Sequence, residues 1–212
     1  HIKKWKIGFA ETDIPVLDVT GNASGEYETG KLFKSVLLDE KQKKVYEYKD
    51  FSDNIILKKV QLSNSTADNT HDGWLCTYYV YDDLDQLRAT ITPKAVVYLS
   101  QNSWSFALQI VYQELCFYNH YDNRGRTIIK HAAGAGQIHM VYDKRDRLIL
   151  SQDENQRNKP SGKQWSFYLY DYENRAIATG LYVNTKSRQD LQENYIPYLN
   201  NGDVQINVLV GV

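Results

Sequence analysis

The chain has 212 residues, with 25 basic and 26 acidic side chains that leave a net charge of -1. That balance offers no basic surface for nucleic acid, no apolar run is long enough to cross a bilayer, and two cysteines are too few for a disulfide framework. The bias is aromatic: 17 Tyr and 4 Trp against one Met favour half-buried strands and aromatic binding faces.

In chain order, residues 1–30 read as an irregular segment with one strand, "KKWKIGFA", and a flexible link, "GNASGEYETGK". The apolar stretch of "HIKKWKIGF" is too short for a signal peptide, so the chain is expected to be a cut piece whose targeting signal lies elsewhere. Residues 31–185 read as a repeat region. "LLDEKQKKVYEY" and "EYKDFSDNIILKKVQL" are degenerate first copies, the former with Gln42 at a position that favours Gly, Asn or Asp. Four clearer copies follow: "YDDLDQLRAT", "YDNRGRTIIK", "YDKRDRLILS" and "YDYENRAIAT". Polar loops are predicted at 63–73 and 153–163. Pro93 and the helical spacing of Phe106, Ile110 and Val111 predict short helices over 93–99 and 103–114. In 186–212, a helix is predicted from Ser187, a good N-cap, to Pro197, followed by a final strand, "VQINVLVGV".

The repeats have a mechanical reading. A three-residue hairpin loop is a type I turn followed by one left-handed residue that forms a bulge. Asp suits the first position because its carboxylate accepts backbone N–H bonds. Asp82, Asp122, Asp143 and Asp171 stand there. Three residues on come Asp85, Gly125, Asp146 and Asn174, types that tolerate left-handed backbone. Gln86, Arg126, Arg147 and Arg175 follow.

Laid out this way, and most clearly in "HYDNRGRTII", the chain resembles the YD-repeat or Rhs (rearrangement hotspot) family over roughly residues 30–185. The resemblance implies a mainly β fold: consecutive antiparallel hairpins in one long curved sheet, with small helical insertions around 93–114 and 187–197. It also implies a segment of a large bacterial protein, extracellular or at the cell surface, whose partner is the remainder of its own chain. In that family the sheet spirals into a shell that can enclose a toxic domain, and a core segment can cut the chain. This sequence shows no such core after its last repeat and no toxin, so autocleavage and enclosure do not carry over. About five hairpins make a curved sheet, not a closed shell.

Several residues invite chemistry. The four turn aspartates recur in every copy, which favours structure over catalysis, and no enzyme is expected. The arginines are expected to pair with turn carboxylates or to stack on tyrosines of the neighbouring hairpin. Gly134 and Gly136 lack the third glycine and the following helix of a dinucleotide loop, so a turn is expected. His71, His120, His131 and His139 lack metal-ligand spacing, and neither metal nor cofactor is expected. Cys76 and Cys116 occupy equivalent repeat positions, about 9–10 Å apart by strand spacing, beyond the roughly 7 Å a disulfide spans; two free, buried thiols are expected. Trp74, Tyr79, Tyr81, Tyr118, Tyr121, Trp165, Tyr168 and Tyr170 are the candidate ligand-binding face. The alternative function is therefore a carbohydrate-binding or adhesive module with a carbohydrate or cell-surface partner, against burial of these rings under helices or further sheet.

Overall fold

The structure, a computed structural model, describes residues 2–20, 22–63, 67–160 and 162–195. The expected final strand and the end of the last helix lie outside the described residues. Thirteen strands form among the described residues. β1 (Trp5–Lys6) and β2 (Val16–Leu17) pair with each other, where one strand was expected in residues 1–30. The others are β3 (Phe33–Leu38), β4 (Lys44–Lys49), β5 (Ile55–Gln61), β6 (Trp74–Tyr81), β7 (Leu87–Ile91), β8 (Cys116–Tyr121), β9 (Thr127–Ala132), β10 (Gly136–Tyr142), β11 (Leu148–Gln152), β12 (Gln164–Tyr170) and β13 (Ala176–Val183). These eleven are hydrogen-bonded neighbours in strict chain order, an antiparallel meander. The mainly β, consecutive-hairpin architecture is as the repeats predict.

Contacts divide the chain into two compact units, residues 1–119 with 132–134, and residues 120–131 with 135 onward. In the first, β6 alternates buried and accessible positions along its length, the signature of a sheet with one face on a core. Trp74, Cys76, Tyr78 and Val80 point inward with Ile91, Cys116 and Tyr118. The helix α1 (Pro93–Gln101) covers them through Ala95, Val96 and Leu99. It starts as the sequence predicts, with Pro93 in the first turn and the Thr92 hydroxyl accepting the Ala95 N–H. The second helix, α2 (Gln109–Leu115), begins later than predicted. Ser103 and Trp104 adopt φ of 53° and 57°, which ends any helix there. The compensation is packing of the partly buried Trp104 ring on the core, 4.8 Å from His71 and 6.5 Å from Trp5.

The second unit has its own core of Val141, Ile149, Leu150, Trp165, Phe167 and Leu191. Leu191 belongs to the segment that Ser187 caps, so the predicted helix start holds; three α-helical residues pass directly into a π-helical turn, Leu191–Tyr195. The stretch expected to be wholly loop at 153–163 holds a short helix, α3 (Glu154–Arg157), with Asp153 and Gln156 forming a capping box.

Candidate functional site: the arginine clasps of the hairpin turns

Six turns share one construction. Asp39, Asp50, Asp82, Asp122, Asp143 and Asp171 each donate their N–H to the carbonyl four residues on, at 2.9–3.1 Å. Each also accepts, at its own carbonyl, the N–H three residues on. The residue three places on is left-handed in every case: Gln42, Asp53, Asp85, Gly125, Asp146 and Asn174, with φ between 57° and 75°. In the first five, one carboxylate oxygen accepts N–H groups two and four residues ahead, for example from Arg145 at 2.8 Å and Arg147 at 2.9 Å for Asp143. Asp171 receives the Arg175 N–H in the same way. The strand register shifts just before the aspartate at Tyr48/Lys49, Val80/Tyr81, Val141/Tyr142 and Leu169/Tyr170, as a bulged three-residue loop requires. Gln42, the least suitable residue type, still takes the left-handed site.

In the second unit the arginines add a further layer. Arg126 Nε donates to Asp122 Oδ2 at 2.7 Å, and Arg147 Nε to Asp143 Oδ2 at 2.6 Å, each within its own turn. The same guanidinium then reaches forward. Nη1 of Arg126 donates to the Asp143 carbonyl at 3.2 Å and to Asp146 Oδ1 at 2.8 Å. Nη1 of Arg147 repeats this with the Asp171 carbonyl at 3.2 Å and Asn174 Oδ1 at 3.1 Å. Each guanidinium lies over the tyrosine that precedes the next turn, Tyr142 and Tyr170, at 4.9 Å in both cases. Those tyrosines donate back to the carbonyl following each arginine, Tyr142 to Thr127 at 2.7 Å and Tyr170 to Leu148 at 2.9 Å. The expected alternatives, carboxylate pairing and ring stacking, both occur in one side chain.

Electrostatics follow. Burial alone would raise the Asp122 carboxyl, but the Arg126 guanidinium and the backbone donors outweigh it and hold the group below the usual carboxylate range. Asp171 is likewise held down, chiefly by the Arg175 N–H.

The first unit solves the same problem with other residues. Asn54, at the arginine position of its turn, donates to Asp85 Oδ1 at 2.9 Å and so links two successive turns. At the next turn the arginine position holds Gln86, and the carboxylate is met instead by Arg88, 3.5 Å away and fully buried, whose Nε donates to the Asn119 carbonyl. The repeat spacing gives no sign of Arg88, which is buried at the register shift between β6 and β7.

The aromatic residues do not form the expected single ladder. Trp74, Tyr118 and Trp165 are buried in the two cores, whereas Tyr79, Tyr81, Tyr121, Tyr168 and Tyr170 are partly exposed. The reason is the period of two. Tyr79 is five residues from Trp74 and Tyr168 three from Trp165, odd separations that place the partners on opposite sheet faces. Tyr170 is further committed to the Arg147 clasp. Cys76 and Cys116 are buried thiols outside any disulfide, and burial raises them to about 11 and about 12.

A second cluster lies in the first unit and has no counterpart in the sequence reading. Lys59 is 4% exposed and gives its ammonium to the Asp68 carbonyl at 2.8 Å and the Thr70 carbonyl at 2.6 Å, while lying 4.7 Å over the Trp74 ring. Tyr46 donates to Asp68 Oδ2 at 2.6 Å, and His71 Nε2 meets the Tyr78 hydroxyl at 2.7 Å. A 270 Å³ cavity adjoins this cluster, and an 870 Å³ cleft opens between the 62–73 loop and α1. Burial lowers the Lys59 pKa and, with the charges of Lys59 and Lys3, brings His71 to about 4. The ammonium, though, is already committed to carbonyls, so the cluster acts as an anchor for the loop.

No family model matches the chain, and no curated protein does. Among solved structures it is similar to part of the crystal structure of TcdB2-TccC3-TEV, at 15% identity and a TM-score of 0.49 over 69% of this chain. It is also similar to the Photorhabdus luminescens Tc holotoxin pore, at 16% identity and a TM-score of 0.49 over 71% of this chain. A third is TcdB2-TccC3 without its hypervariable C-terminal region, at 16% identity and 0.49 over 69%. The chain spans 6% of the length of each of these much longer proteins.

Proposed function

We propose that this chain is an architectural segment, a run of hairpins whose turns lock to one another and so extend a β-sheet that presents or encloses another domain. It belongs, on this reading, to a large secreted or surface-located bacterial protein of the YD-repeat type, and it carries no catalytic centre of its own. The observation that supports it is the forward-reaching clasp. Arg126 and Arg147 each spend one end of the guanidinium on their own turn and the other on the next, with matching partners and distances within 0.3 Å. A side chain used this way joins repeat to repeat. The carbohydrate reading is weakened because three of its eight rings are core and Tyr170 is enclosed by Arg147.

The test is to sequence the parent gene beyond both ends and express the longer product. Further Tyr-Asp hairpins that shield an unrelated domain from protease would support the proposal. A parent protein with neither additional hairpins nor a shielded or displayed domain would overturn it. Hydrolytic activity in the purified chain would do the same.

A further inference from the structure

Residues 2–20 and 22–27 lie on the first core as a layer of their own. β1 pairs with β2, and the Tyr27 N–H returns to the Ile2 carbonyl at 2.9 Å, so the segment holds its own shape. It is seated by the Trp5 ring, 6.2 Å from Tyr78, 6.5 Å from Trp104 and 6.0 Å from Phe106. The Lys3 N–H adds a hydrogen bond to the Tyr78 hydroxyl at 3.1 Å. The seat is imperfect. Trp5 Nε1 is buried without a partner among the described residues, and a 230 Å³ cavity remains between residues 14–17 and residues 103–106. The chain leaves the segment through Gly30, which has a φ of 83° and around which a Cβ would meet nothing within 4 Å. A glycine in open space at such a φ is an unobstructed hinge.

Tyr78 is fully buried, and its hydroxyl is where three elements meet. Its oxygen accepts the Lys3 N–H, and its proton has His71 Nε2, 2.7 Å away, as acceptor, which assigns that nitrogen as unprotonated. The imidazole stacks on Tyr78 and lies 4.8 Å from Trp104, a ring that the Lys3 ammonium also faces at 5.4 Å. The charged groups around His71 are Lys3 and Glu26 on the N-terminal segment, Lys59 on β5 and Asp72 in its own loop; Glu26 is already paired with Lys3 at 2.8 Å. A proton on His71 turns Nε2 into a donor and leaves the buried Tyr78 proton without its acceptor. It also sets an imidazolium beside two ammonium groups. One side has to give. The loop that carries His71 is tied down by Lys59 at the Asp68 and Thr70 carbonyls, and by Trp74 Nε1, which donates to the Ala67 carbonyl at 3.0 Å. The N-terminal segment has the hinge.

We propose that residues 2–20 and 22–27 form a strap that acid releases from the first core, with His71 as its latch and Gly30 as its hinge. Release uncovers Tyr78, Trp104 and Phe106, an aromatic surface that is closed at neutral pH. His71 titrates at about 4 under the seated strap and near 6.5 in water, so the released form binds the proton more readily. Moving from pH 7.5 to pH 4 therefore favours release by about a hundredfold.

The test places nitroxides at Phe9→Cys and Val97→Cys, both exposed positions, in the full chain and reads the distance from strap to α1 by double electron–electron resonance. One narrow distance is expected at pH 7.5. At pH 4 a longer, broad population is expected to join it while far-UV circular dichroism retains the sheet, and return to pH 7.5 restores the narrow distance. His71→Gln, which keeps an acceptor for Tyr78 and does not titrate, is expected to hold the narrow distance at pH 4. Tyr78→Phe removes the hydroxyl of the seat instead of the titrating ring and is expected to move release to higher pH, so it reports even if His71→Gln disturbs the chain. A distance unchanged at pH 4 without either substitution overturns the proposal. So does a release that His71→Gln leaves intact, which would make Glu26 the trigger. Release that coincides with loss of the sheet signal overturns it as well, because that is unfolding of the core and not the opening of a strap.

Discussion

A carboxylate that closes a turn and also meets a guanidinium matters in proportion to how far both are removed from water. The Asp143 side chain is 2% exposed and holds two backbone N–H groups as well as Arg147, itself mostly covered. Asp143→Ala strands all of these donors, and the expected loss is about 3 kcal/mol, the range for breaking a buried pair from one side. Asp171→Ala removes the same contacts where Arg175 is largely in solvent, and a much smaller loss is expected. Urea midpoints of the two variants decide this, and equal losses would contradict the clasp account. Gln42 tests the turn from the other side. Its φ of 59° is costly for a side chain with Cβ, so Gln42→Gly is expected to stabilise by about 1 kcal/mol in the same experiment.

At the scale of elements, the loop between β5 and β6 depends on Lys59, His71 and Tyr46, and this makes it sensitive to acid. The His71 imidazole, near 6.5 when unfolded, is held at about 4 in the fold. His139 in the second unit is also brought to about 4, by burial and then by Arg157 and other nearby positive charges. A group with a depressed folded pKa leaves the unfolded chain binding more protons, so stability is complete above pH 6.5 and falls as pH drops towards 4. His71→Gln, which keeps a polar partner for Tyr78 and does not titrate, is expected to flatten the fall between pH 6.5 and 5. An unchanged slope would mean that His71 does not titrate as described.

The turns were legible at this scale because Asp and a left-handed residue three places on are a local requirement, met within five residues. The faces of the strands were written in the period of two, but the candidate aromatic face overlooked it: counting by twos separates Trp74 from Tyr79. The Lys59 cluster was not legible, because its contacts join residues whose nearness only strand pairing creates. Arg88 was missed because it does the work of Gln86 from two residues further along. The late start of α2 reflects packing of Trp104 against the first core, a tertiary gain that overrides helical spacing.

Across the molecule, the two thiols report on opening of the sheet. Cys76 and Cys116 are both in the first core, and burial leaves them almost entirely protonated at ordinary pH. A thiol reagent at pH 8 is expected to label them only as fast as that core opens, with urea accelerating both together; rapid labelling of either in the native chain would contradict its placement. The clasps carry a further consequence. Each guanidinium that reaches out belongs to the earlier turn, and each tyrosine hydroxyl that reaches back finds a carbonyl already in place. A hairpin leaving the ribosome therefore meets a socket built by the hairpin synthesised before it. The sheet has a direction of growth written into it, and that direction is the direction of translation.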